Sequence, residues 1–260
     1  MQVVYEDNHL IIIYKESGEI VQGDKTGDEP LSEVVKRYIK EKYAKPGAVF
    51  LGVAHRLDRP VAGLVVFART SKALARLNAM FRDGQVHKTY WAIVEVKGEK
   101  RAGDGHSSPS SLLTPHSSLL TPHSSLLTSH FSLLEHWLVR NERQNKSYAY
   151  DHEVPGSKRA ALRYRPLGRS ERYELLEVQL LTGRHHQIRC QLAAAGFPIK
   201  GDLKYGARRS NPDGSISLLA RRVEFIHPVS KKPLCVEAPL PSDKLWQAFS
   251  QSVDSSDRIL

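Results

Sequence analysis

The sequence is poor in the residues from which stapled scaffolds and metal centres are made. Its two cysteines, Cys190 and Cys235, are too few for a disulfide framework and lack metal-ligand spacing. Both read as buried thiols of a reducing compartment. Long apolar runs are missing as well. The longest, at residues 10–14 and 64–68, have the length of strands, and a membrane span needs about 20 apolar residues. Residues 1–10 place no basic stretch ahead of an apolar one, so no signal peptide is expected and the reading is a cytoplasmic protein with no membrane partner. Acidic residues are in deficit: 38 Lys and Arg face 28 Asp and Glu, for a net charge of +10 and a pI near 9.6. Such an excess suits a polyanionic partner, because cation–phosphate contacts release condensed counterions.

What is present is ordinary in bulk. A chain of 260 residues with 40% apolar and 25% charged residues can bury one sizeable core, which predicts a single domain over residues 1–260. Residues 3–5 and 10–14 bracket Asp7-Asn8 and predict a β-hairpin. Leu31, Val34, Val35, Tyr38, Ile39 and Tyr43 fall at helical spacing, ended by Pro46-Gly47. Residues 64–69 read as a strand. Ser71 is expected to cap a short helix presenting Leu74, Leu77 and Phe81, which Asp83-Gly84 stops. Residues 86–96 predict a long strand with Val86, Lys88, Tyr90, Ala92, Val94 and Val96 on one face. Residues 148–152, 160–165 and 173–181 predict further strands. Thr182 is expected to cap a helix over 184–195, closed by Gly196. Strands with irregularly interspersed helices predict an α+β fold built on a mixed sheet.

One segment stands apart. From His106 to about His136 a seven-residue unit recurs, as in Ser117-Ser118-Leu119-Leu120-Thr121-Pro122-His123. Leu pairs at this period invite a coiled coil, but Pro109, Pro115 and Pro122 oppose one. The recurring His invites a metal site, yet nothing in the pattern fixes those side chains together. The expectation is a mobile, low-complexity insertion over 103–133 between two strands.

Three segments carry chemistry. Residues 55–64, His-Arg-Leu-Asp-Arg-Pro-Val-Ala-Gly-Leu, set one carboxylate, Asp58, among His55, Arg56 and Arg59 ahead of a buried strand. Neighbouring Arg side chains favour an ionised Asp, available as nucleophile or base, although most such neighbours are structural ion pairs. Residues 88–94, Lys-Thr-Tyr-Trp-Ala-Ile-Val, put Lys88 and Tyr90 on one strand face. A strand Tyr is usually core. Beside a nucleophilic Asp, its ring can stack on a base and its hydroxyl can exchange protons. Residues 180–192, Leu-Leu-Thr-Gly-Arg-His-His-Gln-Ile-Arg-Cys-Gln-Leu, place His185 and Arg189 one helical turn apart with Ile188 and Leu192 toward a core. The plainer reading is a basic surface helix.

Together these segments resemble the RluA-type RNA pseudouridine synthases, whose motifs they follow in order: HRLD with a downstream Gly, K-x-Y-x-A-x-V, and T-G-R-x-H-Q-I-R. Residues 196–206 resemble the family's G-x-P-I-x-G-D-x-x-Y-G, residues 219–228 its closing strand, and residues 238–241 its usual ending; these read as supports of the fold. The resemblance spans nearly the whole chain outside the repeat. It implies a mixed, largely antiparallel sheet flanked by helices; the N-terminal residues show no recognisable S4-type RNA-binding domain, so no accessory S4 domain is expected. It implies that Asp58 is the catalytic carboxylate, that Tyr90 lies against the target uracil, and that Arg189 pairs with Asp58. Arg56 would fill the gap left by a flipped nucleotide. His55 is expected to hydrogen-bond within its loop, and Lys88, Arg184 and Lys200 are candidate phosphate contacts. His185 stands where the family commonly has Thr and is given no catalytic role. Pro60-Val61 and Leu219 also depart from the pattern, at positions that spare the three catalytic candidates.

The reaction so implied breaks the bond from uracil N1 to the ribose and rebuilds the link through C5. Atoms and bond order balance, so no cofactor or metal is expected. In keeping with this, the sequence shows no P-loop, dinucleotide fingerprint or CxxC pair. The target must leave any helical stack, because its reactive atoms are inaccessible within one. The expected partner is structured RNA, ribosomal or transfer, met by a monomer. Two other classes compete: a binding-only RNA protein or chaperone on the same fold, and a glycoside or nucleoside hydrolase, which would need a second carboxylate.

Overall fold

The computed structural model describes residues 1–96 and 130–257. The heptapeptide repeat therefore falls outside the described residues, except for its expected end. There the boundary needs correction: Ser132 and Leu133 open a strand, β6 (Ser132–Asn141), paired to Tyr164 and Arg163. Ser132-Leu133-Leu134 continues the repeat's Ser-Leu-Leu in register, with Phe131 in place of its first Ser, which hides where the strand begins.

The chain opens on the expected hairpin, β1 (Gln2–Glu6) and β2 (Leu10–Lys15). Asp7 shapes its turn, with one carboxylate oxygen accepting the N–H groups of His9 and Leu10 at 2.7 Å each. Helix α1 (Leu31–Lys42) buries Leu31, Val35 and Ile39 on one stripe. The short β3 (Gly52–Val53) precedes β4 (Ala62–Ala68), then α2 (Ser71–Arg82) and β5 (His87–Glu95). Thr70, one residue before Ser71, caps α2, its hydroxyl accepting the Ala73 N–H at 3.2 Å. After β6 come β7 (Lys146–Tyr150), β8 (Lys158–Arg169), β9 (Tyr173–Leu180) and α3 (Gln187–Ala194). A 3-10 turn (Leu203–Tyr205), β10 (Leu218–Ile226), β11 (Pro233–Glu237) and α4 (Lys244–Asp257) complete the described chain.

The strands form one sheet in the order β1-β2-β4-β10-β5-β9-β8-β6-β7, with β11 beside β10 and β3 beside β4. Neighbours run antiparallel apart from β4 and β10. Helices cover both faces. Leu31, Val35 and Ile39 of α1 join Ile188 and Leu192 of α3 in the core on one face; Ala73 and Leu77 of α2 join Trp246 and Phe249 of α4 in the core on the other. Strands buried from both sides lose the apolar–polar alternation, so β2 and β4 read as continuous apolar runs. The fold is α+β with a mixed, largely antiparallel sheet, as the sequence implied.

Helix α3 starts later than expected. His186 has φ 52°, a left-handed backbone that no helix can propagate. The Thr182 hydroxyl accepts from Ala161 N and donates to the Gln187 carboxamide oxygen, which also accepts from Arg184 N. Residues 182–186 are therefore a hydrogen-bonded turn, and His185 and Arg189 do not share a helix face.

The join between β4 and β10 depends on Gly63. It has φ +121°, and a Cβ there would sit 2.4 Å from the Ala220 carbonyl oxygen and 2.6 Å from its nitrogen. Gly63→Ala is expected to cost about 3 kcal/mol or more, from backbone strain plus a clash with main chain that has nowhere to move. A fall in the urea midpoint, or loss of soluble protein, is the readout; an unchanged midpoint would show that the two strands can separate freely.

Candidate active site

The loop between β3 and β4 carries His55, Arg56 and Asp58. Leu57 and Val61 anchor it in the core at 8% and 2% exposure. Every carbonyl from 58 to 61 is engaged: Asp58 O by Val61 N, Arg59 O by Gly18 N, Pro60 O by Ile216 N, and Val61 O by the Lys15 ammonium. Lys15 is fully buried and also donates to the carbonyls of Glu16 and Arg59, at 2.9 and 3.1 Å. Burial draws its pKa down to about 8, which leaves it cationic at neutral pH. The backbone under Asp58 is thus rigid.

Asp58 does not pair with its sequence neighbours. Arg59 turns away to Asp28 and Asp24, at 2.6 and 3.7 Å, and Arg56 is exposed with no side-chain hydrogen bond or ion pair among the described residues. The partner is Arg189 of α3, whose Nη1 donates to Asp58 Oδ2 at 3.1 Å. Asp202 takes the other edge of that guanidinium, accepting from Nε and Nη2 at 2.7 and 2.8 Å. Arg189 and Asp202 are 5% and 1% exposed, so this bidentate pair is held away from water.

Tyr90, on β5, faces the same space. Burial first, and then the Asp58 charge, push its phenol above the ordinary range. It stays protonated and offers a ring face and an O–H rather than a base. Asp58, Tyr90 and Arg189, with Leu180, Ile188 and Leu218, line a cavity of about 300 Å³, near the lower end of small-ligand pockets. On its other side Asp58 borders a trough of about 1040 Å³ whose cations include Lys36, Arg56, Arg140 and Lys204. The carboxylate sits at the junction of a small pocket and a basic channel.

The remaining expected residues divide. His55 lines the cavity, but its Nε2 accepts the Val66 N–H at 2.9 Å; burial lowers its pKa to about 3 and keeps it neutral. Lys88 lines the cavity, its ammonium 5.5 Å over the Phe81 ring and its pKa lowered by burial. Arg184 is at the cavity rim, its Nε bonded to the Arg159 carbonyl. Lys200 is elsewhere: it donates to Asn211 Oδ1 at 2.6 Å and lines a separate cavity with Tyr14 and Trp246. Its place in a motif next to Gly201-Asp202 misled, because only Asp202 turns toward Arg189. Sequence reasoning passed over His186, Asp202 and Tyr205 as site residues. The Asp and Tyr of the Gly201–Gly206 stretch, and His186 as the His of T-G-R-x-H-Q-I-R, were visible as motif residues; the approach of His186 to Asp58, set by a left-handed backbone, was not.

A family model described as RNA pseudouridylate synthase matches residues 9–194. The ribosomal large subunit pseudouridine synthase C of Vibrio cholerae is 30% identical over 96% of this chain and 68% of its own length. The tRNA pseudouridine synthase C of the same organism is 26% identical over 100% and 98%. Among solved structures, Human RNA Pseudouridylate Synthase Domain Containing 4 shares the fold, with a TM-score of 0.68 at 20% identity over 97% of this chain and 93% of that one. The chain belongs to the RNA pseudouridylate synthase family. It is an isomerase that converts uridine to pseudouridine, and its substrate is RNA. No helix among the described residues is long and apolar enough to cross a membrane.

The neutral burial of His55 has a measurable consequence. Its folded pKa, about 3, lies below the ordinary 6.5, so below pH 6.5 the unfolded chain binds the proton and the folded chain does not. That contribution to stability is complete above pH 6.5 and is lost as pH falls toward 3, at about 1.4 kcal/mol per pH unit. His55→Gln keeps an acceptor for Val66 N–H and removes the titration. Urea unfolding between pH 7 and 5 should give the variant a shallower loss of stability than the wild type. Parallel pH curves would mean that His55 titrates freely in the folded state.

Proposed function

We propose that Asp58 is the carboxylate that engages the ribosyl group of a flipped uridine, as nucleophile at C1′ or as base toward the 2′ proton. Arg189 holds it in place, Tyr90 stacks on the uracil, and Arg56 fills the space the nucleotide leaves. The observation that carries this reading is the bond between Asp58 and Arg189, 131 residues apart in sequence, on the wall of the cavity that Tyr90 also lines. The pocket has room to retain the detached base while it turns. Asp58, with no second carboxylate among the described residues lining that cavity, does not fit a hydrolase built on an acid pair.

Lys88, Arg184 and the trough cations are assigned to phosphates on either side of the target, which suits their position around a single carboxylate. His55 supports the loop. The RNA is structured ribosomal or transfer RNA, met in the cytoplasm by a monomer; the names of the Vibrio cholerae relatives support both RNA classes. Mapping pseudouridines in RNA from cells with and without the gene identifies the target.

Transcript RNA tritiated at uridine C5 tests the chemistry. The wild type should release label without strand loss or free uracil. Asp58→Asn should release none yet bind RNA within a few-fold of wild type, since affinity rests on phosphate contacts. Liberated uracil would indicate a hydrolase, and a variant that turns over would remove Asp58 from the mechanism.

Arg189→Lys is expected to lower turnover at least a hundredfold and to cost about 2–4 kcal/mol of stability. A lysine cannot serve Asp202 bidentately and reach Asp58 together, and it strands a buried carboxylate. Near-normal kcat in that variant would show that a point charge suffices.

A further inference from the structure

Among the described residues, His186 is a buried side chain that approaches Asp58 and has no part in the proposed chemistry. Its side chain is 5% exposed, and each of its ring nitrogens has a neighbour. Nδ1 lies 3.0 Å from the Tyr205 hydroxyl, and Nε2 lies 3.5 Å from Asp58 Oδ2. The tautomer follows from accounting for protons. The Tyr205 oxygen already accepts the Ser147 N–H at 2.8 Å, so its own proton needs an acceptor, and Nδ1 is the one at hand. Nδ1 is then bare and the imidazole proton sits on Nε2, toward Asp58.

The ring also stays uncharged and still. Burial, followed by the positive charges of Arg189, His185, Lys204 and Arg140, drives its pKa down to about 2. The His185 ring stacks on it with centroids 3.8 Å apart and planes 20° apart. His185 is fixed in turn by the Ser147 hydroxyl at 3.0 Å and by Asn145 Oδ1 at 3.1 Å.

We propose that His186 is a positioning residue for Asp58: locked as the Nε2–H tautomer by Tyr205, it aims a second donor at the oxygen that Arg189 already holds and leaves Oδ1 to meet the nucleotide. The inference rests on Asp58 being the reacting group. One bond from Arg189 lets the carboxylate pivot about its Cβ–Cγ axis, and the guanidinium cannot follow because Asp202 holds its other edge. A second donor on Oδ2 fixes the plane. A neutral donor does so without adding a full positive charge beside a group that must attack or abstract. The 3.5 Å separation is longer than a formed hydrogen bond; catalytic contacts of this kind close when substrate is bound.

The test uses the full chain, C5-tritiated transcript RNA and nitrogen-15 NMR of the histidine rings. His186→Ala should lower kcat by about tenfold to a hundredfold with KM for RNA nearly unchanged, the loss typical of a reactive group set slightly out of line. His186→Gln, whose amide nitrogen can stand where Nε2 stood, should recover most of the rate. The wild-type ring should report its proton on Nε2 from pH 5 to 8, a measurement that does not depend on either variant folding. A proton on Nδ1, or wild-type kcat in a folded His186→Ala, overturns the proposal. Turnover by Asp58→Asn would instead overturn the assignment of Asp58, so the two failures are distinguishable.

Discussion

A single guanidinium ties the molecule's two halves together on the wall of the pocket. Arg189 is buried between two carboxylates, bidentate to Asp202 and monodentate to Asp58. Burying a cation is costly unless it is paired and hydrogen-bonded. Here Asp202, thirteen residues away along the chain, supplies that pairing from the same half of the protein. The bond to Asp58 is then made by a donor already fixed in direction. It orients the carboxylate without having to hold the arginine in place.

The surroundings extend this division of labour. Lys15 and the peptide groups of the strand–loop junction fix the backbone beneath Asp58. Tyr90 closes the pocket from β5 as a neutral phenol, and basic side chains line the channel outside. Two kinds of group are thus separated in space: cations line the channel, and buried, hydrogen-bonded side chains line the pocket.

The legible parts of the sequence were those governed by local periodicity. The β1–β2 hairpin, α1, α2 and the face of β5 bearing Tyr90 follow from spacing alone, and the helix stops follow from Gly and Pro. Residues 55–58 drew attention to Asp58 for a partly wrong reason, since adjacency made Arg59 look like its companion, whereas Arg59 pairs with Asp28 and Asp24. The true companion came only through resemblance, because no local pattern announces a contact spanning 131 residues. The start of α3 and the closeness of His186 depend on one left-handed residue, and backbone handedness leaves no periodic trace. Lys15 ends an apolar run and looks like the first solvated residue after a strand; that it is wholly buried is decided by the Arg59 and Val61 carbonyls brought in from elsewhere.

The lone parallel junction has a consequence for how the molecule assembles. β4 meets β10 through two residue pairs, Leu219 with Ala62 and Ala220 with Gly63, whereas β4 meets β2 along six. Along the central path of the sheet, β1, β2 and β4 are joined to the remaining strands at this short seam. Asp58 lies on one side of the seam, Tyr90 and Arg189 on the other. The cluster of Asp58, Tyr90 and Arg189 therefore exists only where this seam is closed, because its members come from the two sides of it.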